Sequence, residues 1–252
     1  MQLKDIRSCL ITGATSGIGK ALALALAEKN VPLLLTGRNS EELKRLQEQT
    51  GAEIYATDLA NLDNVKALSE WIDKKNPNVQ IHNAGYGLRG AYEQLSDQEI
   101  IEMINVNCTA LALQTRGAID RWKRRGEGGI IVNVASVVGH FPFPFSSLYA
   151  ATKAFVRNLS LSVEGEEKGN THVLTSCPGA VETAFFSRSR KGEDVRNNPL
   201  TMPVSVATQS IIRQIETEKD EVVFDWKYAL FTRIFSKFAP LSFFTKVSKK
   251  GG

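Results

Sequence analysis

The stretch Thr12-Gly-Ala-Thr-Ser-Gly-Ile-Gly19 decides how the N-terminal part of this chain folds. The apolar run Cys9-Leu-Ile11 precedes it and suits a buried strand, and a run rich in alanine and leucine follows it and favours a helix. The glycines therefore lie in a strand-to-helix turn, where backbone N–H groups can approach a phosphate closely. Because the spacing is Gly-x-x-x-Gly-x-Gly, not Gly-x-Gly-x-x-Gly, an ordinary glycine turn stays open as an alternative.

The residues after the second apolar strand indicate which dinucleotide would bind. That strand, Pro32-Leu-Leu-Leu-Thr36, ends where a dinucleotide-binding fold places an acidic residue on the ribose 2′-hydroxyl. Here the chain has Arg38, and no carboxylate occurs before Glu41. A guanidinium pairs with a 2′-phosphate, which a carboxylate would repel. Arg38 therefore predicts NADP(H), with a solvated loop arginine as the alternative.

Ser136, Tyr149 and Lys153 form a second informative pattern. Ser136 follows the apolar run Gly129–Ala135, at the carboxyl end of a predicted buried strand, where ligands bind in open α/β sheets. Tyr149 and Lys153 are four residues apart in a predicted helix and share one face. The ammonium is expected to lower the phenol pKa from about 10, so that Tyr149 transfers a proton while Ser136 binds the substrate oxygen. Each residue alone has a structural alternative, but together they favour an oxidoreductase.

Apolar strand candidates alternate with helical stretches along the chain. The strand candidates end near Ile11, Thr36, Ala56, Ile81, Ala135, Ser176 and Phe224. The helical stretches begin near Ile18, Ser40, Asn61, Ser96, Ser147 and Val204. This alternation predicts a doubly wound α/β Rossmann fold, with a parallel sheet and helices on both faces. No repeat or linker divides the chain, so residues 1–252 are expected to form one domain.

Length and composition fit this prediction. The chain has 252 residues, 42% of them hydrophobic, and a net charge of +4. No apolar run is long enough for a membrane span and no signal peptide precedes the first strand, so a cytoplasmic location is expected. Cys9, Cys108 and Cys177 are scattered and are expected to be free thiols. The histidines show no ligand spacing, so no metal is predicted, and no charge pattern indicates a nucleic-acid partner.

The order and spacing of these motifs resemble a classical short-chain dehydrogenase/reductase from about Ile6 to Phe224. The matching segments are Thr12 to Gly19, Asn83-Ala-Gly85, Asn107, Ser136, Tyr149-x-x-x-Lys153 and Pro178-Gly179. The resemblance implies a seven-stranded parallel sheet of order 3-2-1-4-5-6-7. It also implies a catalytic set of Asn107, Ser136, Tyr149 and Lys153, in which Asn107 holds a water that extends the proton relay from the lysine.

The resemblance further implies the cofactor contacts. Asp58 and Leu59 match the adenine site, Asn83 to Gly85 match the loop beside the adenosine ribose, and Pro178 to Thr183 match the nicotinamide segment. The complete predicted set is Gly13, Thr15, Ser16, Gly17, Ile18, Gly19, Arg38, Asp58, Leu59, Asn83, Ala84, Gly85, Tyr149, Lys153, Pro178, Gly179, Val181 and Thr183. His82 stands where the family usually has asparagine and is expected to change local hydrogen bonding only.

These observations predict an NADP(H)-dependent oxidoreductase that transfers a hydride between the nicotinamide and a carbonyl or secondary alcohol. Phenylalanines in the loop from Val137 to Phe145, and in residues 184–203, which match the family's substrate lid, favour an apolar substrate. Packing of these rings on each other or on a partner subunit is the alternative. A reductase of acyl-chain or lipid carbonyls at a membrane surface and a non-catalytic dinucleotide-binding scaffold also stay open. A homodimer or homotetramer is expected.

The C-terminal segment, residues 226–252, is basic and amphipathic. It has no acidic residue, its six lysines and arginines all lie within residues 227–250, and apolar residues from Leu230 to Phe238 recur at helical spacing. Such a segment can lie in an anionic membrane interface, which allows weak peripheral membrane contact through residues 227–250. Packing of the segment on the protein itself is the favoured alternative, because amphipathic helices are usually half buried.

Overall fold

The computed structural model describes residues 1–183, 185, 201–230 and 232. Its strands are β1 Cys9–Thr12, β2 Leu33–Gly37, β3 Glu53–Ala56, β4 Val79–His82, β5 Gly129–Val134, β6 Thr171–Cys177 and β7 Glu221–Val223. They form one seven-stranded sheet in the order β3-β2-β1-β4-β5-β6-β7, and every neighbouring pair is parallel. The predicted Rossmann sheet is confirmed, and each strand ends within one residue of its predicted position.

Helices connect these strands and pack around the sheet. In the described residues they are α1 Gly17–Ala27, α2 Ser40–Thr50, α3 Leu62–Lys75, α4 Asp97–Ile104, α5 Ala110–Arg125, α6 Ser147–Glu166 and α7 Val204–Thr217. The alternating side chains of β1 and β2 separate two layers. Cys9 and Ile11 pack with residues of α1, α2 and α7, whereas Leu10 and Leu34 pack with α3 and the start of α5. Both faces of the sheet are therefore covered, as predicted.

Side-chain caps explain why several helices start where the sequence predicts. The Asn39 side chain accepts a hydrogen bond from the backbone N–H of Glu42 at the start of α2. Asn61 caps α3 in the same way, and Ser96 forms a reciprocal capping box with Glu99 at the start of α4. Such caps satisfy N–H groups that have no partner within the helix.

One helical stretch differs from the prediction. The region beginning at Ser96 is not a single helix, because a π-helical turn, Asn105–Thr109, separates α4 from α5. A π turn widens the helix by one residue and frequently occurs at functional sites. Asn107 lies in the middle of this turn with its side chain buried. No periodicity in the sequence distinguishes this turn from the helices beside it.

Most of two predicted segments lies outside the described residues. Of the predicted lid, residues 184–203, the structure describes 185 and 201–203, and of the segment 226–252 it describes 226–230 and 232. Among the described helices, none combines the length and the apolar character that crossing a bilayer requires.

Candidate active site

A cleft runs along the carboxyl ends of the central strands, where the turns after β1, β2, β4 and β6 meet. It encloses about 1340 Å³, including space open to solvent at its mouth. The predicted residues that line it are Gly13, Thr15, Ser16, Gly17, Ile18, Arg38, Asp58, Leu59, Asn83, Ala84, Gly85, Tyr149, Lys153, Pro178, Gly179, Val181 and Thr183. The sheet thus brings nearly all predicted cofactor contacts to one cavity.

The glycine turn forms one wall of the cleft through close backbone packing. Gly13 has φ +66°, and a Cβ atom there would stand 2.8 Å from the Cα of Ala84. A Cβ on Gly17 would approach Thr183 to 3.1 Å. The glycine backbone therefore packs directly on the turns after β4 and β6, and the N-terminus of α1, where a diphosphate is favoured, lies in the cleft wall.

Gly19 is the one predicted cofactor contact that does not line the cleft. A Cβ on Gly19 would lie 2.3 Å from the carbonyl oxygen of Gly13 and 2.6 Å from the Asn83 amide nitrogen. That amide donates a hydrogen bond to the carbonyl oxygen of Thr12 at 3.1 Å. Gly19 therefore lets α1 pack against the turn after β4, and its contribution to the cofactor site is indirect.

Arg38 and Asp58 lie at the far end of the cleft from the predicted catalytic residues. Arg38 is exposed, and Asp58 accepts a hydrogen bond from the Ala60 N–H at 3.0 Å. Tyr86, which no sequence motif indicates, also lines this end, and its buried hydroxyl has no hydrogen-bond partner within the described part of the chain. Burial, then the charge of Glu102, raises the pKa of Tyr86 to about 12, with Arg38 acting in the opposite direction.

Ser136, Tyr149 and Lys153 converge at the other end. All three are buried, with 6%, 8% and 4% of their surfaces exposed. The Ser136 hydroxyl lies 3.4 Å from the carbonyl oxygen of Pro178 and is hydrogen-bonded to Tyr149. The Lys153 ammonium donates to the carbonyl oxygen of Val134 at 2.7 Å and lies 5.8 Å from the centre of the Tyr149 ring. A proton donor, a hydroxyl and a cation thus meet beside the nicotinamide segment.

Asn107 supports this group from behind the cleft wall. Its amide nitrogen donates to the Tyr86 carbonyl at 2.9 Å and to the Thr152 hydroxyl at 3.0 Å. Its amide oxygen accepts from the Tyr86 N–H at 3.1 Å. Because these bonds occupy the side chain, Asn107 fixes the turn after β4 against α6, next to Lys153. Its predicted role in a water relay stays a prediction.

Burial changes the acid–base properties of Tyr149 and Lys153 in opposite directions. It raises the pKa of Tyr149 above its ordinary value, and the hydrogen bond from Ser136 only partly opposes this. It lowers the pKa of Lys153 to about 8. The Lys153 ammonium was expected to lower the Tyr149 pKa, but the effect of burial on that pKa is larger. Lys153 instead donates its hydrogen bond to the backbone carbonyl of Val134. Tyr149 is protonated at neutral pH.

His82 joins a buried polar network beneath the cleft. Its Nδ1 lies 2.8 Å from the Asn133 Oδ1, and the Asn133 amide donates to the Ser160 hydroxyl at 2.9 Å. Burial lowers the pKa of His82 to about 4, so the ring is neutral, and Nδ1 must carry its proton to donate to Asn133. The network joins β4, β5 and α6, as expected for a residue that alters local hydrogen bonding.

Two aromatic residues complete the cleft in ways that the sequence motifs do not reveal. The Phe185 ring lies 5.5 Å from the Tyr149 ring, centre to centre, and lines the cleft. The Tyr228 ring covers Gly179 so closely that a Cβ there would stand 2.2 Å from it, and the Ala180 N–H lies 3.5 Å from the Tyr228 hydroxyl. Phe185 was predicted only as part of an apolar lid, and the contact of Tyr228 was not predicted.

Comparison with known proteins agrees with this arrangement. A family model described as short chain dehydrogenase matches residues 7–194. The chain belongs to the short-chain dehydrogenase family. This short-chain dehydrogenase is 32% identical over 212 residues to a sulfoacetaldehyde reductase of Chromohalobacter salexigens, an alignment that covers 81% of the chain and 84% of the relative.

Two solved structures of other proteins have folds similar to that of this short-chain dehydrogenase. A short-chain dehydrogenase from Sphingobium yanoikuyae in complex with NADPH superposes with a TM-score of 0.78 at 30% identity, covering 86% of each chain. A family member from Burkholderia phymatum in complex with NAD has a TM-score of 0.83 at 22% identity, covering 94% of this chain and 95% of its own. This short-chain dehydrogenase is accordingly an oxidoreductase that uses a nicotinamide cofactor and acts on hydroxyl or carbonyl groups.

Proposed function

We propose that the protein is an NADP(H)-dependent reductase of apolar carbonyl compounds. The observation that carries the proposal is one continuous cleft lined by Arg38 at one end and by Tyr149 and Lys153 at the other, with Ser136 buried beside Tyr149. The glycine turn between them places Ser16, Gly17 and Ile18, at the N-terminus of α1, in the cleft wall, where a diphosphate is favoured. The cleft therefore fits the shape and charge of NADP(H).

Arg38 is the basis for the choice of NADP(H). Its guanidinium lines the cleft after β2, where an acidic residue would otherwise bind the ribose hydroxyls of NAD. A planar guanidinium can form two parallel hydrogen bonds to a phosphate. The NADPH complex of the Sphingobium relative supports this choice, whereas the NAD complex from Burkholderia shows only that the fold accepts either cofactor.

When bound, the nicotinamide supplies the hydride that reduces the carbonyl carbon. Tyr149 donates its phenolic proton to the carbonyl oxygen, and the Ser136 hydroxyl donates a hydrogen bond to the same oxygen. The ammonium of Lys153 stabilises the phenolate that this transfer leaves. Because burial keeps Tyr149 protonated at neutral pH, its resting form is the one that reduction requires. Tyr149 can therefore act as the proton donor when a carbonyl is reduced.

The surroundings of Tyr149 support an apolar substrate. Phe185 packs on its ring, and a Cβ on Gly87 would lie 2.8 Å from that ring and 3.4 Å from Phe185. The Tyr149 ring therefore lies beside an aromatic ring and an unsubstituted backbone segment, so its immediate surroundings are apolar. The relative from Chromohalobacter is named for a small, charged aldehyde, so its name gives no support to this choice, which depends on the cleft alone.

The test measures oxidation of NADPH and NADH with a panel of carbonyl compounds: steroid ketones, 3-oxoacyl esters, aromatic aldehydes, sugars and sulfoacetaldehyde. We expect turnover with NADPH and the highest kcat/KM for the apolar members. Turnover only with sugars or sulfoacetaldehyde would contradict the apolar assignment. Cofactor binding without turnover of any compound would favour the non-catalytic scaffold.

Replacing Arg38 tests the cofactor preference separately. Arg38→Asp should weaken NADP(H) binding by roughly 10- to 100-fold, the range for losing hydrogen bonds to a charged group, and should favour NAD(H). Arg45→Asp is the matched control, because Arg45 carries the same charge on α2 and does not line the cleft. If the wild-type protein binds NAD(H) as tightly as NADP(H), the assignment of Arg38 is wrong.

A further inference from the structure

Three side chains that can bind a metal meet behind the catalytic group, outside the cofactor cleft. They are His140 in the turn after Ser136, Cys177 at the end of β6, and Glu221 at the start of β7. The potential ligand atoms all lie within 4.8 Å of one another, and in the described part of the chain this group alone meets that criterion. Histidine spacing along the chain predicts no metal site. Such spacing cannot detect ligands that three separate segments contribute.

The triangle of ligand atoms has the size of a metal site. The His140 Nε2 lies 3.6 Å from the Glu221 Oε1, and the Cys177 Sγ lies 3.8 Å from that same oxygen. With the third side at most 4.8 Å, a cation at the centre would stand roughly 2.4 Å from each atom. Protein zinc sites have Zn–S distances of about 2.3 Å and Zn–N and Zn–O distances of about 2.0–2.2 Å, so shifts of a few tenths of an ångström would complete the coordination.

A separate observation points to a ligand. The His140 side chain is 8% exposed, and its Nε2 is a buried nitrogen that has no hydrogen-bond partner among the described residues. Such an atom loses its bonds to water on folding and gains none in return. Nε2 faces the Glu221 carboxylate at a distance too long for a good hydrogen bond. A cation between them would satisfy both groups.

The neighbouring charge is compatible with a divalent cation. Arg157 on α6 pairs with both Glu221 oxygens, at 2.5 and 3.0 Å. Carboxylates that bind metals are commonly held by such outer hydrogen bonds, and the bond to Oε2 can persist while Oε1 binds the cation. His140 also borders an apolar groove beside Phe141 and Tyr92.

We infer that His140, Cys177 and Glu221 form a site for a thiophilic divalent cation such as Zn²⁺. The Cys177 thiol loses its proton to solvent and forms a sulfur–metal bond, His140 binds as neutral imidazole and Glu221 as carboxylate, with no change of oxidation state. The cation would connect the turn after Ser136 with β6 and β7. Pro178 follows Cys177 in the chain, and its carbonyl oxygen accepts a hydrogen bond from the Ser136 hydroxyl. A cation at Cys177 would therefore hold in place the backbone that positions Ser136.

Binding of Co²⁺ tests the site directly. The full chain is first treated with a chelator and then titrated with Co²⁺, because a thiolate ligand to Co²⁺ gives a charge-transfer band in the near ultraviolet. We expect this band to saturate at one equivalent. Cys177→Ser should abolish it, and His140→Ala should weaken Co²⁺ binding at least roughly 10-fold. Cys108→Ser is the matched control and should keep the band, because Cys108 is also buried and lies outside the cluster.

Thermal unfolding in Zn²⁺ gives a second measurement. The Tm of the wild-type protein and of Cys108→Ser should rise with Zn²⁺ concentration, because the cation binds the folded state, whereas the Tm of His140→Ala should not. Absence of the charge-transfer band in folded wild-type protein, or its persistence in Cys177→Ser, would overturn the inference. Neither measurement depends on turnover, so its outcome is independent of the proposed function.

Discussion

Tyr149 and Lys153 show how strongly burial controls single residues in this protein. Both lie on the same face of α6, yet the favoured states are a neutral phenol and an ammonium that gives up its proton more readily than usual. The Ser136 hydroxyl lies close enough to share in proton transfer. Each of these side chains can therefore be tested by a replacement that preserves its shape.

Tyr149→Phe removes only the proposed proton donor. We expect kcat to fall by at least roughly 10²-fold, the usual contribution of general acid–base catalysis, with cofactor affinity nearly unchanged. Lys153→Ala should lower both. Steady-state kinetics and cofactor titration measure these effects, and Tyr92→Phe is the control, because Tyr92 is exposed outside the cleft. Full turnover in Tyr149→Phe would assign the proton to another group.

His82 predicts an acid-sensitive step in stability. Its folded-state pKa is about 4, below the roughly 6.5 of an unfolded chain. The unfolded state therefore binds the proton more tightly, so the free energy of unfolding should fall as the pH drops from 6.5 to 4. The loss attributable to His82 is at most about 3 kcal/mol.

Urea unfolding across this pH range, compared with His82→Asn, measures the effect. Asparagine keeps a hydrogen-bonding side chain and does not titrate, so the variant should lose less stability between pH 6.5 and 4. Parallel pH dependence of the two proteins would show that other groups cause the acid sensitivity.

At the level of elements, the turn between β1 and α1 combines two kinds of glycine. Gly13 needs its positive φ, whereas Gly19 is helical and has no room for a side chain. Gly117 on α5 gives a contrast, because a Cβ there would meet nothing within 4 Å. The same substitution should therefore have opposite effects in these two helices.

Gly19→Ala should displace α1 from the turn after β4, because its Cβ would lie 2.3 Å from the Gly13 carbonyl oxygen, and it should lower both cofactor affinity and Tm. Gly117→Ala should leave affinity unchanged and stabilise the protein by about 0.5–1 kcal/mol through helix propensity. Cofactor titration and thermal unfolding test the pair. Equal affinities in the two variants would contradict the packing role of Gly19.

The sequence predicts the elements better than the contacts between them. Apolar runs locate the strand ends. Capping residues such as Asn39 and Ser96 explain where α2, α3 and α4 begin, and both kinds of signal are local in the sequence. The π turn around Asn107 gives no local signal, because it depends on how α4 and α5 pack against α6. The position of Tyr228 on Gly179 joins residues that are distant in the sequence, so only the fold reveals it.

On the scale of the whole molecule, the C-terminal segment is the part whose role the fold constrains least. Two of its described residues pack on the protein, since Tyr228 covers Gly179 and Thr232 is 4% exposed, whereas Trp226 and Leu230 are 71% and 51% exposed. These contacts agree with the packing alternative for the start of the segment. The basic and apolar residues from Arg233 onward lie outside the described residues, so membrane contact through them stays a prediction, as does the homo-oligomer.

Sedimentation with liposomes that contain anionic lipid tests the membrane hypothesis. We expect the full-length protein to sediment at low salt and to be released as salt rises, because each basic residue near the surface adds about 1 kcal/mol. A chain ending at Thr232 should stay in solution. This end point keeps Tyr228 and its contact with Gly179. Equal sedimentation of the two chains would leave only a packing role.

The contact of Tyr228 with Gly179 also has a consequence for biosynthesis. Residues 107–153, which contain the whole proposed catalytic set, leave the ribosome well before residue 228, and an N-terminal part of a chain can begin to fold during synthesis. Until Tyr228 arrives, the nicotinamide segment lacks the ring that covers it. A nascent or proteolytically shortened chain would therefore carry every proposed catalytic residue and still present an unfinished cofactor site, so cofactor retention reports whether the polypeptide is intact.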